Sequence, residues 1–134
     1  MTNALATIAA ALQLATTQDA AMWQALAQLE SGNNPQAHGR AGEVGAHQIM
    51  RSVWKQATSV PITEATNQAV ELAVARVVQA KRVEAFTKRM GRKPTPGEWY
   101  CLWHKPKFAC NMRPKDIEIG ERFNNLYEKN KNTR

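Results

Sequence analysis

The chain has 134 residues and is 43% hydrophobic, enough for one domain with a real core. Its net charge of +7 and pI near 9.8 admit four anionic partners: nucleic acid, a membrane surface, an acidic protein or an anionic polymer. An ordinary solvated basic surface is the plain alternative. No stretch approaches the roughly 20 apolar residues of a membrane span, so none is predicted.

Alanine is frequent, and Gly and Pro punctuate rather than pervade, so the expected fold class is mainly α. Residues 3–16 have helix-favouring composition, with Ile8, Leu12 and Ala15 able to share a face. The Ala-rich run 4–15 has the look of a signal-peptide apolar region, but no Lys or Arg precedes it. The reading is an accessory helix or the remnant of a trimmed signal, not an intact one. Thr16 and Asp19 have the spacing of a capping box, with Asp in place of Glu.

A second helix follows. Trp23, Leu26, Ala27 and Glu30 recur at i, i+3, i+4 and i+7, which places Glu30 on the apolar stripe. Gly32 is a left-handed terminator just past the last turn, and Asn33-Asn34-Pro35 cannot continue the helix. Gly39, Gly42 and Gly45 then recur every third residue, which predicts turns or a short hairpin. This is no nucleotide loop, because no strand precedes it and no Lys-Ser/Thr follows. Residues Ile49–Ala57 read as a short helix carrying Val53 and Trp54.

Pro61 interrupts the chain, and a long helical pattern runs from about Thr66 to Met90, where Gly91 ends it. Val70, Ala73, Val74 and Val77 are assigned inward. Glu71, Arg76, Gln79, Lys81, Arg82, Lys88 and Arg89 are assigned to the opposite, solvated face. Thr95-Pro96-Gly97-Glu98 is a helix start with Thr as N-cap, Pro at N1 and Glu at N3. That helix carries Trp99, Tyr100, Leu102 and Trp103 before Pro106, a surface divided between core and a platform for sugar rings. After a basic loop with Lys105, Lys107 and Arg113, Pro114 opens a last helix to about Lys129, with Ile119, Phe123, Leu126 and Tyr127 inward. No repeats or low-complexity linkers interrupt the chain, which reads as one domain over 1–134.

Glu30 is the residue with chemistry. A carboxyl on an apolar face is poorly hydrated when ionised, which favours the protonated, proton-donating form, and glycosidic bond cleavage needs such a donor at the leaving oxygen. A plain cap or ion pair at the helix end is the alternative. Glu43 is a possible second carboxylate for a hydrolase, although holding the Gly-rich loop in shape is the favoured role. His38, His47 and His104 have no metal-ligand spacing, and no metal is predicted. His47 with Cys101 or Cys110 has no signature of thiol catalysis. The two cysteines make no disulfide framework. They pair if the protein is exported, or stand as two buried thiols.

Taken together, Glu30-Ser31, Asn34-Pro35 and Gly42-Glu-Val-Gly45-Ala-His-Gln48-Ile49 resemble the soluble, goose-lysozyme-like lytic transglycosylase family. The likeness runs from about Trp23 to Ala57. That family carries a Glu-Ser helix end, then Asn-Pro, then Gly-x-x-Gly-x-x-Gln-Ile/Leu. Arg51 stands where the family commonly has proline. The resemblance implies a lysozyme-like single domain with Glu30 as lone general acid, then general base. It implies that Ser31 orients Glu30 or contacts substrate, and that Gln48 and the Gly45 backbone line the sugar groove. The C6 hydroxyl of the muramyl sugar would close a 1,6-anhydro ring, so Glu43 need not be catalytic. The family's Ala-Tyr-Asn-x-Gly segment has its nearest counterpart in Cys101-Leu-Trp-His104-Lys-Pro106, with Trp103 or Tyr100 in the aromatic place and His104 for asparagine. An indole N–H can only donate, unlike a phenol. The expected partner is therefore peptidoglycan glycan strands. No nucleic acid and no cofactor are expected, and the chain is expected to be a monomer. Its place is the periplasm or the cell exterior, or the cell wall as the target of a phage enzyme. A hydrolytic muramidase and a non-catalytic wall-binding protein of the same fold remain alternatives.

Overall fold

The computed structural model describes residues 17–132, with side chains described from Ala20. The predicted helix over 3–16 and the Thr16–Asp19 cap lie outside them. The described chain is mainly α: α1 (Thr17–Ser31), α2 (Arg51–Ala57), α3 (Gln68–Met90), α4 (Pro96–His104) and α5 (Pro114–Lys131), with 3-10 turns at Ile62–Thr66 and Pro106–Phe108. No helix among the described residues is long and apolar enough to cross a membrane. The described residues form two compact units, 27–78 and 17–26 with 79–132, and the boundaries fall inside α1 and α3.

The first unit is organised by turns. Helix α1 stops where Gly32 enters the left-handed region (φ 65°), with Gly32 N–H donating to the Gln28 carbonyl and Asn33 N–H to the Ala27 carbonyl. Two helix-end carbonyls are thereby satisfied. The Gly-rich stretch forms isolated bridges, His38 with Val44 and Val44 with Ile49, rather than a continuous hairpin. Val44 and Ile49 exchange both backbone hydrogen bonds at 2.9 Å. Both are buried, as are Trp54 and Ala65, and the Trp54 indole N–H donates to the Val60 carbonyl at 2.7 Å.

Helix α3 starts two residues later than expected because Asn67 caps it, its Oδ1 accepting from the Ala69 and Val70 N–H groups at 3.1 and 3.3 Å. It ends at Gly91 as expected, with φ 71°. Its face assignment needs correction. Glu71 and Gln79, expected on the solvated face, are only 1% and 2% exposed. Ala73 and Val74 are buried as expected, Val70 and Val77 are half-buried, and Glu71, Val74, Ala75 and Val78 form a buried i, i+3, i+4, i+7 set. Lys81, Lys88 and Arg89 are exposed as expected.

The second unit is built on aromatic packing. Thr95 and Glu98 form the predicted capping box of α4: Glu98 N–H donates to Thr95 Oγ1 and Thr95 N–H to Glu98 Oε1. Helix α4 crosses α5 where Gly97 meets Gly120. A Cβ on Gly120 would lie 3.0 Å from Gly97 Cα, so the crossing depends on the missing side chain. Around it Trp99 and Tyr100 stack on Phe123 at 5.5 and 5.1 Å, and Trp23 meets Trp99 and Trp103 edge-on at 5.1 and 5.9 Å. Phe86, Cys101, Leu102 and Ala109 make a further buried cluster. The Arg82 guanidinium donates to the Leu102 and Trp103 carbonyls at the end of α4. This is the place where a helix welcomes a cation, and it explains why Arg82 is half-buried rather than free in solvent.

Candidate functional site

Glu30, Ser31, Glu43, Gly45 and Gln48 all belong to the first unit. Glu30 lies in the final turn of α1, one residue before its end, and is half-buried; Trp23, Leu26 and Ala27 on the same stripe are buried. Ser31 is the hinge between the helix end and the Gly-rich turn. Its Oγ donates to the Ala46 carbonyl at 2.7 Å and accepts from the Asn34 N–H at 3.0 Å. The Ala27 carbonyl stands farther away, at 3.3 Å. A hydroxyl has one proton, and the shorter contact across to Ala46 is the one that joins helix to turn.

The turn itself is tight and partly left-handed. Val44 and Ile49 close it, Gly45 has φ 84°, and Gln48, a non-glycine residue, has φ 55°. That conformation is uncommon outside glycine and asparagine, and here the side chain compensates. Gln48 Nε2 donates to the Gly45 carbonyl at 2.9 Å and the Ala37 carbonyl at 3.2 Å. Its Oε1 turns toward Gly39, where an added Cβ would lie 2.7 Å from it. The same Cβ would fall 1.5 Å from Glu43 Oε2. The Glu43 carboxylate therefore lies on the bare Cα of Gly39, inside the loop it was expected to shape.

A residue pair that the sequence reading did not assign to the site lies beneath this turn. Glu71 Oε2 accepts the His47 backbone N–H at 2.8 Å, and Glu71 Oε1 meets His47 Nδ1 at 2.5 Å. A carboxylate can only accept, so Nδ1 carries the proton when Glu71 is ionised. Both residues are buried. A Cβ on Gly45 would stand 2.6 Å from Glu71 Cγ and 3.0 Å from the Ala65 carbonyl oxygen. Glycine at 45 is thus required twice, by its φ and by the glutamate against it. The signal that finds Glu71 is the same spacing that singled out Glu30, applied to α3.

Tyr100, Trp103 and His104 belong to the second unit. Tyr100 and Trp103 are 5% and 9% exposed. Their rings pack on other rings, Tyr100 on Phe123 and Trp103 on Trp23, as the core share of the α4 surface does. His104 is exposed and stacks on Tyr100 at 5.3 Å. Cys101 and Cys110 are free thiols. Burial pushes the Cys101 thiol up to about 11, where it is a poor nucleophile at neutral pH. Among the described residues, no three of His, Cys, Asp and Glu come together in a way that could hold a metal ion.

No family model, no curated protein and no solved structure matches this chain.

Proposed function

We propose that the chain is a peptidoglycan-cleaving enzyme of lysozyme-like fold, working as a lytic transglycosylase on the β-1,4 bond between MurNAc and GlcNAc. One observation carries the reading. The helix end bearing Glu30 is tied by Ser31 Oγ to the Ala46 carbonyl, at 2.7 Å, in the middle of the Gly45–Gln48 turn. The two motifs that resemble the family are therefore joined in space as well as ordered in sequence. In this reading Glu30 protonates the leaving glycosidic oxygen as general acid. The resulting carboxylate then takes the proton of the muramyl C6 hydroxyl, whose oxygen attacks the anomeric carbon and closes the anhydro ring. One carboxyl group suffices, which agrees with Glu43 being folded onto Gly39. The net charge of +7 suits an anionic wall polymer.

Mass spectrometry of the products released from purified peptidoglycan tests the reaction. Products ending in 1,6-anhydro-muramyl groups are expected. Reducing ends throughout would assign the chain to hydrolysis, with water in place of the C6 hydroxyl, and no released product would leave the fold without the activity.

A further inference from the structure

The Ala46 carbonyl and the His47 N–H belong to one peptide group, and that group is held from both sides. Ser31 Oγ donates to its oxygen at 2.7 Å, and Glu71 Oε2 accepts from its nitrogen at 2.8 Å. The second oxygen of Glu71 is taken by the His47 ring at 2.5 Å, so the carboxylate cannot rotate without losing two partners. Gly45 and Gln48, at either end of this segment, both have positive φ, at 84° and 55°. At Gln48, which is not a glycine, such backbone persists only where its surroundings over-determine it. The peptide itself joins Ala46 and His47, neither of which has a positive φ, and an exchange of its carbonyl and N–H would turn ψ of Ala46 and φ of His47. A buried carboxylate beneath the N–H opposes that flip by repulsion, because the flip would bring a carbonyl oxygen onto a carboxylate oxygen.

We propose that Glu71 is a positioning residue for Glu30, acting through the Ala46–His47 peptide and Ser31. This rests on the transglycosylase reading given above. The chain of contacts runs from Glu71 to the His47 N–H, through the peptide to the Ala46 carbonyl, to the Ser31 hydroxyl, and by one covalent step along α1 to Glu30. Glu71 touches no reacting atom. Its effect is to fix the carbonyl that receives the Ser31 proton, and so to fix the end of α1. Ser31 Oγ is then left to accept the Asn34 N–H at 3.0 Å, which sets the chain direction after the helix. His47 serves to lock the carboxylate rather than to bind a metal or a thiol. Without the ionised carboxylate the peptide loses one of its two anchors, the Ser31 proton can turn back to the Ala27 carbonyl at 3.3 Å, and the helix end loosens.

The test is a double-mutant cycle on the whole chain. Wild type, Glu71→Gln, Ser31→Ala and the double variant are compared, with purified peptidoglycan glycan strands as substrate and circular dichroism as the check on folding. Glutamine keeps the volume of Glu71 and can still accept one N–H, but it lacks the charge. Glu71→Gln is expected to lower kcat by about tenfold with KM unchanged, since small misplacement near a catalytic group costs one to two powers of ten. In the Ser31→Ala background the same change should cost less than about twofold, because the path is already cut. Independent effects in the two backgrounds would overturn the proposal, as would an unchanged kcat in a folded Glu71→Gln protein. Should Glu71→Gln fail to fold, Glu71→Asp, which keeps the charge on a shorter arm, is expected to show the same dependence on Ser31. The Asn34 amide resonance gives a readout independent of activity. It should move in the Glu71 variant although Asn34 does not touch residue 71, and a stationary resonance would overturn the proposal. If the wild-type chain leaves glycan strands intact, the reading of Glu30 falls, and the Asn34 resonance alone decides whether Glu71 sets Ser31.

Discussion

The turn at 44–49 and the helix at 96–104 are held by opposite means. The turn is specified by polar groups: a buried carboxylate on a backbone N–H and an imidazole, a serine hydroxyl on a carbonyl, and a glutamine amide on two more. The helix is specified by ring packing of Trp99, Tyr100 and Trp103, with Phe123 and Trp23 completing the stack. Hydrophobic packing is non-directional and tolerates volume-conserving change. Hydrogen bonding to a buried carboxylate fixes one orientation of one peptide, at the cost of desolvating the charge. A segment whose backbone must hold one orientation gains from the second kind of specification, and a segment that must only be stable is served by the first.

Substitutions can break this contrast, beginning with the largest. Phe123→Ala removes the ring on which Trp99 and Tyr100 stack and should destabilise the protein by about 3–5 kcal/mol. Glu71→Ala should cost a similar amount, about 3–5 kcal/mol, because it leaves the His47 N–H and ring without their acceptor in a buried place. The difference lies in the conservative exchanges. Phe123→Leu should recover most of the loss, whereas Glu71→Met, similar in length but apolar, should recover little. Urea denaturation of the four variants checks this, and equal recovery at both positions would erase the distinction.

Smaller effects belong to the acid range. The Arg92 guanidinium, bonded to both Glu98 oxygens at 2.7 and 2.8 Å, holds that carboxyl down at about 2 against an ordinary 4.5. Arg113 does the same for Asp116, at about 2 against 3.8. A depressed folded-state pKa contributes stability above the unfolded value, and that contribution disappears as pH falls through the folded value. Both carboxylates therefore support the fold at neutral pH, and the thermal midpoint should fall between about pH 4.5 and about pH 2. In each pair the arginine is the more exposed partner, and solvent around it screens the attraction, so the decline should be modest. Arg92→Gln should flatten part of it, and an unaltered pH profile in that variant would show that the Arg92 pair contributes nothing.

Local signals in the sequence were easily read. Thr95 and Glu98 formed the expected capping box, and Gly32 and Gly91 ended their helices as expected, because each signal is confined to a few neighbouring residues. The stripe Trp23–Leu26–Ala27 is buried with Glu30 half-buried at its end. On α3, Ala73 and Val74 are buried as expected, but so are Glu71 and Gln79, which the pattern assigned to solvent. Two apolar stripes compete on that helix, Val70–Ala73–Val74–Val77 and Glu71–Val74–Ala75–Val78, and the second contains a charge that argues against burial. Only a partner from elsewhere in the chain makes Glu71 an inward residue, and His47 supplies it. The aromatic run in α4 was ambiguous for the same reason: periodicity shows that rings are present, not which neighbours cover them.

The proposed role of Glu30 as acid and base of glycan cleavage is tested most directly by turnover of purified peptidoglycan by wild type and by Glu30→Gln. Glutamine preserves the shape of the side chain and cannot donate an acidic proton. Anhydro-ended fragments are expected from the wild-type chain and a loss of at least about a hundredfold in the variant, the scale of general acid–base catalysis, with the circular dichroism melt unchanged. Equal release by the two proteins would remove Glu30 from the chemistry.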